Sequence, residues 1–200
     1  MSKRSYRQNC SLAHGADLLG ERWTLLILRE LLIQPCQFGQ LSDYLKGIGT
    51  NLLAQRLKEL EAIAQIEKQE PGGKRAAYCL TANGKAVEPV ILEMIRWGYR
   101  FGVSDPEYLH WHHWDLLAMR AYFQPARCRR RIAVQFASPA LTAWVRISPD
   151  RFEHGLGQHA AADLQVPTTI IDFQQDIQAG KYDDDALVRE FVACFALPLR

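Results

Sequence analysis

The 200-residue sequence predicts an α+β chain in two parts. The front half is helical and closes on a hairpin and a long helix; a smaller α+β domain follows. Three observations carry this. Up to about residue 104, apolar residues recur at helical spacing, interrupted once by two short strand-like segments around Pro71-Gly72-Gly73. Val103-Ser104-Asp105-Pro106 then breaks the pattern. Beyond it, alternating segments precede helical ones. The expected domains are residues 1–104 and 107–200, each long enough to bury a core of its own.

In the first part, Ser11 caps a helix through about Leu19, which Gly20 stops. Trp23 to Ile33 is apolar around most of its circumference, as befits a helix in the middle of a domain. Pro35 starts a short helix carrying Phe38, Leu41 and Leu45, and Lys46-Gly47-Ile48-Gly49 ends it. Thr50 caps the next helix, which runs to about Ala62. Strands are expected over Gln65–Gln69 and Ala76–Leu80, with Pro71 to Arg75 as the turn. Thr81 opens a long helix through Phe101. Helix-helix-helix-helix-hairpin-helix is the order of a winged helix-turn-helix with one long helix added.

In the second part, Trp111 to Phe123 fits an amphipathic helix. Arg131–Phe136 and Thr142–Ser148 read as strands, and Arg151–Gly157 and Ala162–Val166 as further ones. Thr168 or Thr169 caps a helix stopped by Gly180, and Asp184 or Asp185 caps the last.

Composition excludes some classes. No apolar run reaches the 18 or more residues of a membrane span, and no leader is expected behind the basic N-terminus. The five cysteines are scattered without paired spacing, which fits reduced thiols in a cytoplasm. Residues 1–106 carry 14 Lys+Arg against 11 Asp+Glu, and residues 107–200 carry 10 against 11, so the slight basic excess lies in the front half. No nucleotide loop, zinc-protease motif or nucleophile elbow is present, so no catalytic constellation and no cofactor are expected.

The helix opened by Thr50 has two faces. Leu53, Leu57 and Leu60 share one and must dock on its neighbours. Asn51, Ala54, Gln55 and Lys58 share the other, with Thr50 at the end where the dipole favours phosphate. Asn and Gln pair with adenine edges, and Lys reaches guanine or phosphate. Such a face alone is more readily a solvated one; the turn before it and the wing after it reverse that reading and favour double-stranded DNA. Gln37, ahead of the Phe38 helix, is grouped with this set. Lys74 and Arg75 put two cations at the hairpin tip, suited to phosphates or the minor groove. On the last long helix, Val87, Val90, Ile91, Met94, Trp97 and Phe101 spread over more surface than one neighbour covers, which points to a homodimer.

Cys10-x-Leu12-Ala13, the run Leu19-Gly20-Glu21-Arg22-Trp23-Thr24 through Leu32, Phe38-Gly39-Gln40-Leu41, Gly47-Ile48-Gly49-Thr50-Asn51, Arg56-Leu57-Lys58-Glu59-Leu60, Tyr78-Cys79-Leu80-Thr81-x-x-Gly84, Pro89 and Trp97-Gly98 stand in order over residues 8–102. Together they resemble the HxlR-type winged helix-turn-helix regulators, which are MarR-like. The resemblance implies a homodimer through the first and last helices, a pseudo-palindromic operator, and Cys10 as a candidate oxidant sensor. The alternative for Cys10 is a half-buried small residue. Ala64-Gln65-Ile66 and Pro35-Cys36 depart from the family pattern.

The second part carries less. Ala162-Asp163-Leu164 and the helix ending at Ala179-Gly180 resemble a fragment of the sterol-carrier-protein-like fold, which implies a cavity for an apolar small molecule. Trp114, Leu117, Val134, Phe136, Trp144 and Arg146 are the expected lining, with His159 a further polar candidate. A solid core used for stability or dimer contacts is the other reading. His110-Trp111-His112-His113-Trp114 is dense in potential metal ligands, but with no carboxylate or cysteine identified beside it, it reads as a helix start and no metal is expected. Arg127-x-Arg129-Arg130-Arg131 reads as a solvated strand edge rather than a second nucleic-acid contact. A sequence-specific regulator is therefore expected. The rival is a lipid-carrying or small enzymatic module whose winged helix binds protein.

Overall fold

Helix α1 (Ser11–Leu19) starts from Cys10, whose side chain makes no cap. In this computed structural model, residues 5–70, 76–102, 105 and 107–196 are described. The chain divides into two compact units, Met1–Ile91 and Leu92–Arg200. Mixed helix and strand give it the expected α+β class.

In the first unit, α2 (Thr24–Ile33) is entered through Trp23 at φ 81. Its Ile27 and Leu28 are fully buried, while Leu26 is exposed, so α2 is not covered all round. Residues 35 and 36 are not helical: Cys36 exchanges both backbone hydrogen bonds with Tyr78, and α3 (Phe38–Tyr44) begins only after Gln37. Helix α4 (Thr50–Ala62) is N-capped by Gly49, not Thr50, which is its first residue. Strands β1 (Ile66–Gln69) and β2 (Ala77–Leu80) pair antiparallel with Ile66 opposite Leu80; the expected turn at Pro71–Arg75 lies outside the described residues. The single long helix expected from Thr81 is two. Thr81 Oγ1 accepts the Gly84 N–H at 3.1 Å and caps α5 (Ala82–Lys85), and α6 (Glu88–Phe101) follows. Gly84 has to be glycine, because a Cβ there would stand 2.0 Å from the Gln65 carbonyl oxygen.

In the second unit, a 3₁₀ turn (His112–Trp114) runs into α7 (Asp115–Tyr122), so the expected helix starts four residues late. Strands β3 (Ile132–Ala137), β4 (Thr142–Ser148), β5 (Arg151–Leu156) and β6 (Leu164–Val166) form one sheet in the order β5-β4-β3-β6. Only the β3–β6 pair is parallel. Thr169 caps α8 (Ile170–Gln178), and Asp185 caps α9 (Ala186–Ala193) by accepting from Leu187 and Val188.

Because side chains alternate across a sheet, the register sorts β3 and β4 into two faces. Ile132, Val134 and Phe136 share one with Ile147, Val145 and Ala143. Phe136 meets Phe173 of α8 there at 5.7 Å between ring centroids. Gln135 shares the other face with Trp144, yet it is fully buried. Its amide donates to the Ala143 and Phe136 carbonyls and accepts the His159 N–H at 2.7 Å, which fastens the loop before β6. Among the described residues, no helix is long and apolar enough to cross a membrane.

Candidate nucleic-acid interface

The turn from α3 to α4 depends on Gly47 at φ 95, in the left-handed region that favours glycine. It delivers α4 with its apolar row inward: Leu53, Leu57 and Leu60 are at most 3% exposed. With Gly49 as N-cap, no capping side chain hydrogen-bonds the first turn of α4, which leaves its start open to an anion. Thr50, Asn51, Ala54, Gln55 and Lys58 are all exposed, on the side away from the three leucines. Gln55 donates from Nε2 to Glu59 Oε1 at 2.9 Å, a contact it must release to reach a base edge.

Arg56, between the two rows, is a positioning residue that the sequence reading passed over. Its guanidinium donates to Glu21 at 2.7 Å and to Glu59 at 2.5 Å, tying the middle of α4 to the turn ahead of α2. Glu21 and Arg56 are 35 positions apart, and nothing in the sequence pairs them. At the other end of the helix, Ala64 takes φ 52, the left-handed conformation that a glycine adopts without strain.

Gln37 is half-buried at the start of α3, where its N–H donates to Gln40 Oε1 at 2.8 Å; it is not part of the α4 row. Lys74 and Arg75 lie outside the described residues. Lys68, on β1, is an exposed cation at the base of the hairpin that was not singled out. A hydrogen bond that its ammonium donates to the Tyr78 oxygen, together with that residue's charge, holds Lys68 above the ordinary lysine range.

The six apolar residues of the long helix separate. Val87 and Ile91 are buried core residues, so the assignment of these two to a dimer surface is corrected: they complete the first unit. Val90, Met94, Trp97 and Phe101 are 44, 51, 65 and 59% exposed, and their spacing of four, three and four sets them on one stripe. Leu12 and Leu18 of α1 are exposed as well. Cys10 is exposed at the N-terminus of α1, where the amides of Ala13 and Leu12 hold its thiol below the ordinary cysteine range.

The six residues expected to line one pocket in the second unit are not brought together. Leu117, Val134 and Phe136 are fully buried. Trp144 and Arg146 project from the opposite face of the sheet, Trp144 against Gly155 and Arg146 into an ion pair with Glu153 at 2.7 Å. Two faces of a sheet cannot line one cavity. Trp114 belongs instead to the aromatic cluster around His110 and His113. An apolar cavity of about 10 Å³ does lie elsewhere in the unit, against Met119, Ile170, Phe173, Phe191 and Phe195. In the arginine run, Arg130 is held by both carboxylate oxygens of Glu190 at 2.7 to 3.0 Å.

Comparison with known proteins adds the following. Residues 18–105 match the family model described as HxlR-like helix-turn-helix. The HTH-type transcriptional regulator sll1512 of Synechocystis sp. is 37% identical over 91 residues, 44% of this chain and 67% of that protein. The HTH-type transcriptional regulator YodB of Bacillus subtilis is 36% identical over 87 residues, 42% of this chain and 78% of that protein. A crystal structure of quinone-bound YodB is 34% identical and covers 45% of this chain and 97% of that one, with a TM-score of 0.40. None of these matches confirms the sterol-carrier-like resemblance of the second unit.

Proposed function

The chain belongs to the HxlR-like helix-turn-helix family and is a transcriptional regulator of that type; from this premise we propose that it is a cytoplasmic homodimer that reads a pseudo-palindromic operator with the outer row of α4. The observation that carries the proposal is the division of α4 into a row of three buried leucines and an exposed row of Asn51, Ala54, Gln55 and Lys58. The exposed row holds the donors and acceptors suited to base edges in the major groove. The uncapped first turn behind Gly49 suits a backbone phosphate, and it fixes the depth of the helix in the groove. Arg56 keeps that row at a constant angle through Glu21.

The dimer reading is supported by the Val90-Met94-Trp97-Phe101 stripe, apolar surface of a kind that association removes from water. A two-fold pair would place two α4 helices about one duplex turn apart, which is why the operator is expected to be pseudo-palindromic. Lys74, Arg75 and Lys68 would add contacts to phosphates that do not depend on sequence. Cys10, exposed and with a lowered thiol pKa, is the oxidant-sensitive position of this reading. An apolar small-molecule effector would enter beside Phe173 and Phe191, where the cavity of about 10 Å³ must widen to take more than a single water. Its coupling to DNA affinity would be roughly 5–150-fold.

The test is a fluorescence-anisotropy titration of a duplex from the promoter of the protein's own gene, with random duplex as competitor. Light scattering on the same sample should give twice 22.8 kDa. Equal affinity for the two duplexes would overturn sequence-specific reading, and a monomer that bound the promoter tightly would overturn the dimer.

A further inference from the structure

The segment between α6 and α7 holds a cluster that operator binding does not use. His110, His112 and Asp115 each bring one nitrogen or oxygen to within 4.8 Å of the others. His110 Nε2 is 3.2 Å from Asp115 Oδ2, and His112 Nδ1 is 4.0 Å from the same oxygen. The two imidazoles meet edge to face, with centroids 5.4 Å apart. Local geometry explains the convergence. In a 3₁₀ turn, side chains three apart eclipse one another, and His112–Trp114 is such a turn leading into Asp115, the first residue of α7. His112 and Asp115 are therefore on one side, and His110 closes over them from the preceding extended segment. The carboxylate that the sequence reading did not find is the residue directly after the histidine run.

Burial separates this group from a chance surface cluster. Asp115 is 7% exposed. His112 Nδ1 is buried and makes no hydrogen bond, since 4.0 Å is too long for one. A buried polar atom without a partner is uncommon, and a cation held between this nitrogen and the Asp115 carboxylate would satisfy both. The His110 side chain is 41% exposed, which leaves an approach from solvent.

We propose that His110, His112 and Asp115 bind a divalent first-row transition-metal ion of the Zn²⁺ kind. Two imidazoles and one carboxylate suit such an ion, whereas Ca²⁺ and Mg²⁺ take oxygen ligands throughout. Around a tetrahedral ion at roughly 2.0–2.1 Å from each ligand, neighbouring ligand atoms stand about 3.3 Å apart. The His110–Asp115 distance already meets this, and His112 needs to move inward by less than an ångström relative to Asp115. Three protein ligands leave a fourth position for water or an added ligand. When bound, the ion ties the chain at His110 to the start of α7 through three side chains.

The full-length, tag-free protein, stripped with a chelator, is titrated with Zn²⁺ in competition with a chromophoric chelator. One ion per chain is expected. His112→Ala and Asp115→Asn should each weaken binding by about 10–100-fold or more, while His14→Ala and Cys10→Ser leave it unchanged. Circular dichroism of the metal-free variants checks the fold; should Asp115→Asn unfold, His110→Ala at the more exposed ligand decides the same point. Binding that survives these substitutions, binding lost with Cys10→Ser, or the absence of stoichiometric binding would each overturn the site. Operator affinity does not enter these readouts, so a failed metal site leaves the DNA reading standing and the reverse also holds.

Discussion

Helices α4 and α6 each leave a row of four side chains outside the core, and the rows differ in kind. On α4 the row is Asn51, Ala54, Gln55 and Lys58; on α6 it is Val90, Met94, Trp97 and Phe101. Water hydrogen-bonds the first row as well as a base edge does, so that row gains from a partner only when donors and acceptors match one for one. Water compensates nothing on the second. Any partner that covers it removes apolar surface at about 25 cal/mol per Å². The first row therefore suits discrimination between partners, and the second suits association. On the proposed reading, in which two copies pair to read one operator, the two tasks fall on separate helices.

The largest effect should come from crossing between the two rows of α4 itself. Leu57→Ala should cost about 2–5 kcal/mol in a urea melt, since Leu57 is 1% exposed and packed on all sides. Lys58→Ala, one residue on, should stay within about 0.5 kcal/mol. An equal cost for the two would mean that the outer row of α4 is packed rather than offered. Next, Trp97→Glu should weaken self-association by about 2 kcal/mol or more, roughly 30-fold, without loss of the fold, because Trp97 is 65% exposed. Light scattering over a dilution series reads this; an unchanged mass would remove α6 from the interface. Asn51→Ala or Gln55→Ala should then cost on the order of 1–3 kcal/mol against the promoter duplex and spare random duplex, while Lys74→Ala weakens both alike. If the helix variants lowered the two affinities equally, the α4 row would bind without discriminating.

The smallest effects concern the thiols. Cys10, lowered by helix amides, should be alkylated faster and from a lower pH than Cys36, which burial pushes up to about 12. Mass spectrometry after a short pulse of iodoacetamide checks the order; labelling of Cys36 first would contradict it. The raised Cys36 value also has a sign for stability. An unfolded thiol ionises near about 8.5 and the folded one near about 12. Its contribution is therefore complete below the lower value and is lost as pH rises through that window. Cys36→Ser should flatten the alkaline decline in midpoint.

Much of this was legible in the sequence. The leucine spacing on α4 and the alternation over Thr142–Ser148 are short-range signals, and both elements form over the residues expected. The break between α5 and α6 was legible in principle. Pro89 has no N–H to continue a helix from Lys85, yet it is tolerated in a first turn, so the helix restarts at Glu88. The missed pocket geometry is of another sort. Val134 and Trp144 look equally suitable until the pairing of Val134 with Val145 puts Trp144 on the other face, and that register is set by the short turn between β3 and β4, which the sequence reading did not place. The Glu21–Arg56 clamp differs: its partners lie 35 positions apart, and only the tertiary fold brings them together.

The parallel pairing of β6 with β3 has a consequence for synthesis. A ribosome delivers the chain in order, and the first unit ends at Ile91, ahead of every strand of the second. The second unit follows another schedule. Strands β3, β4 and β5 can close as successive hairpins, but the free edge of β3 waits for Leu164, thirty residues beyond the Val134 it pairs with. Phe195, which bridges to Phe123, is made later still. Throughout that interval the nascent chain carries a finished DNA-reading unit and an apolar strand with one unpaired edge. Truncation, stalling or slow release would therefore be felt as aggregation of the second unit before any loss of the first.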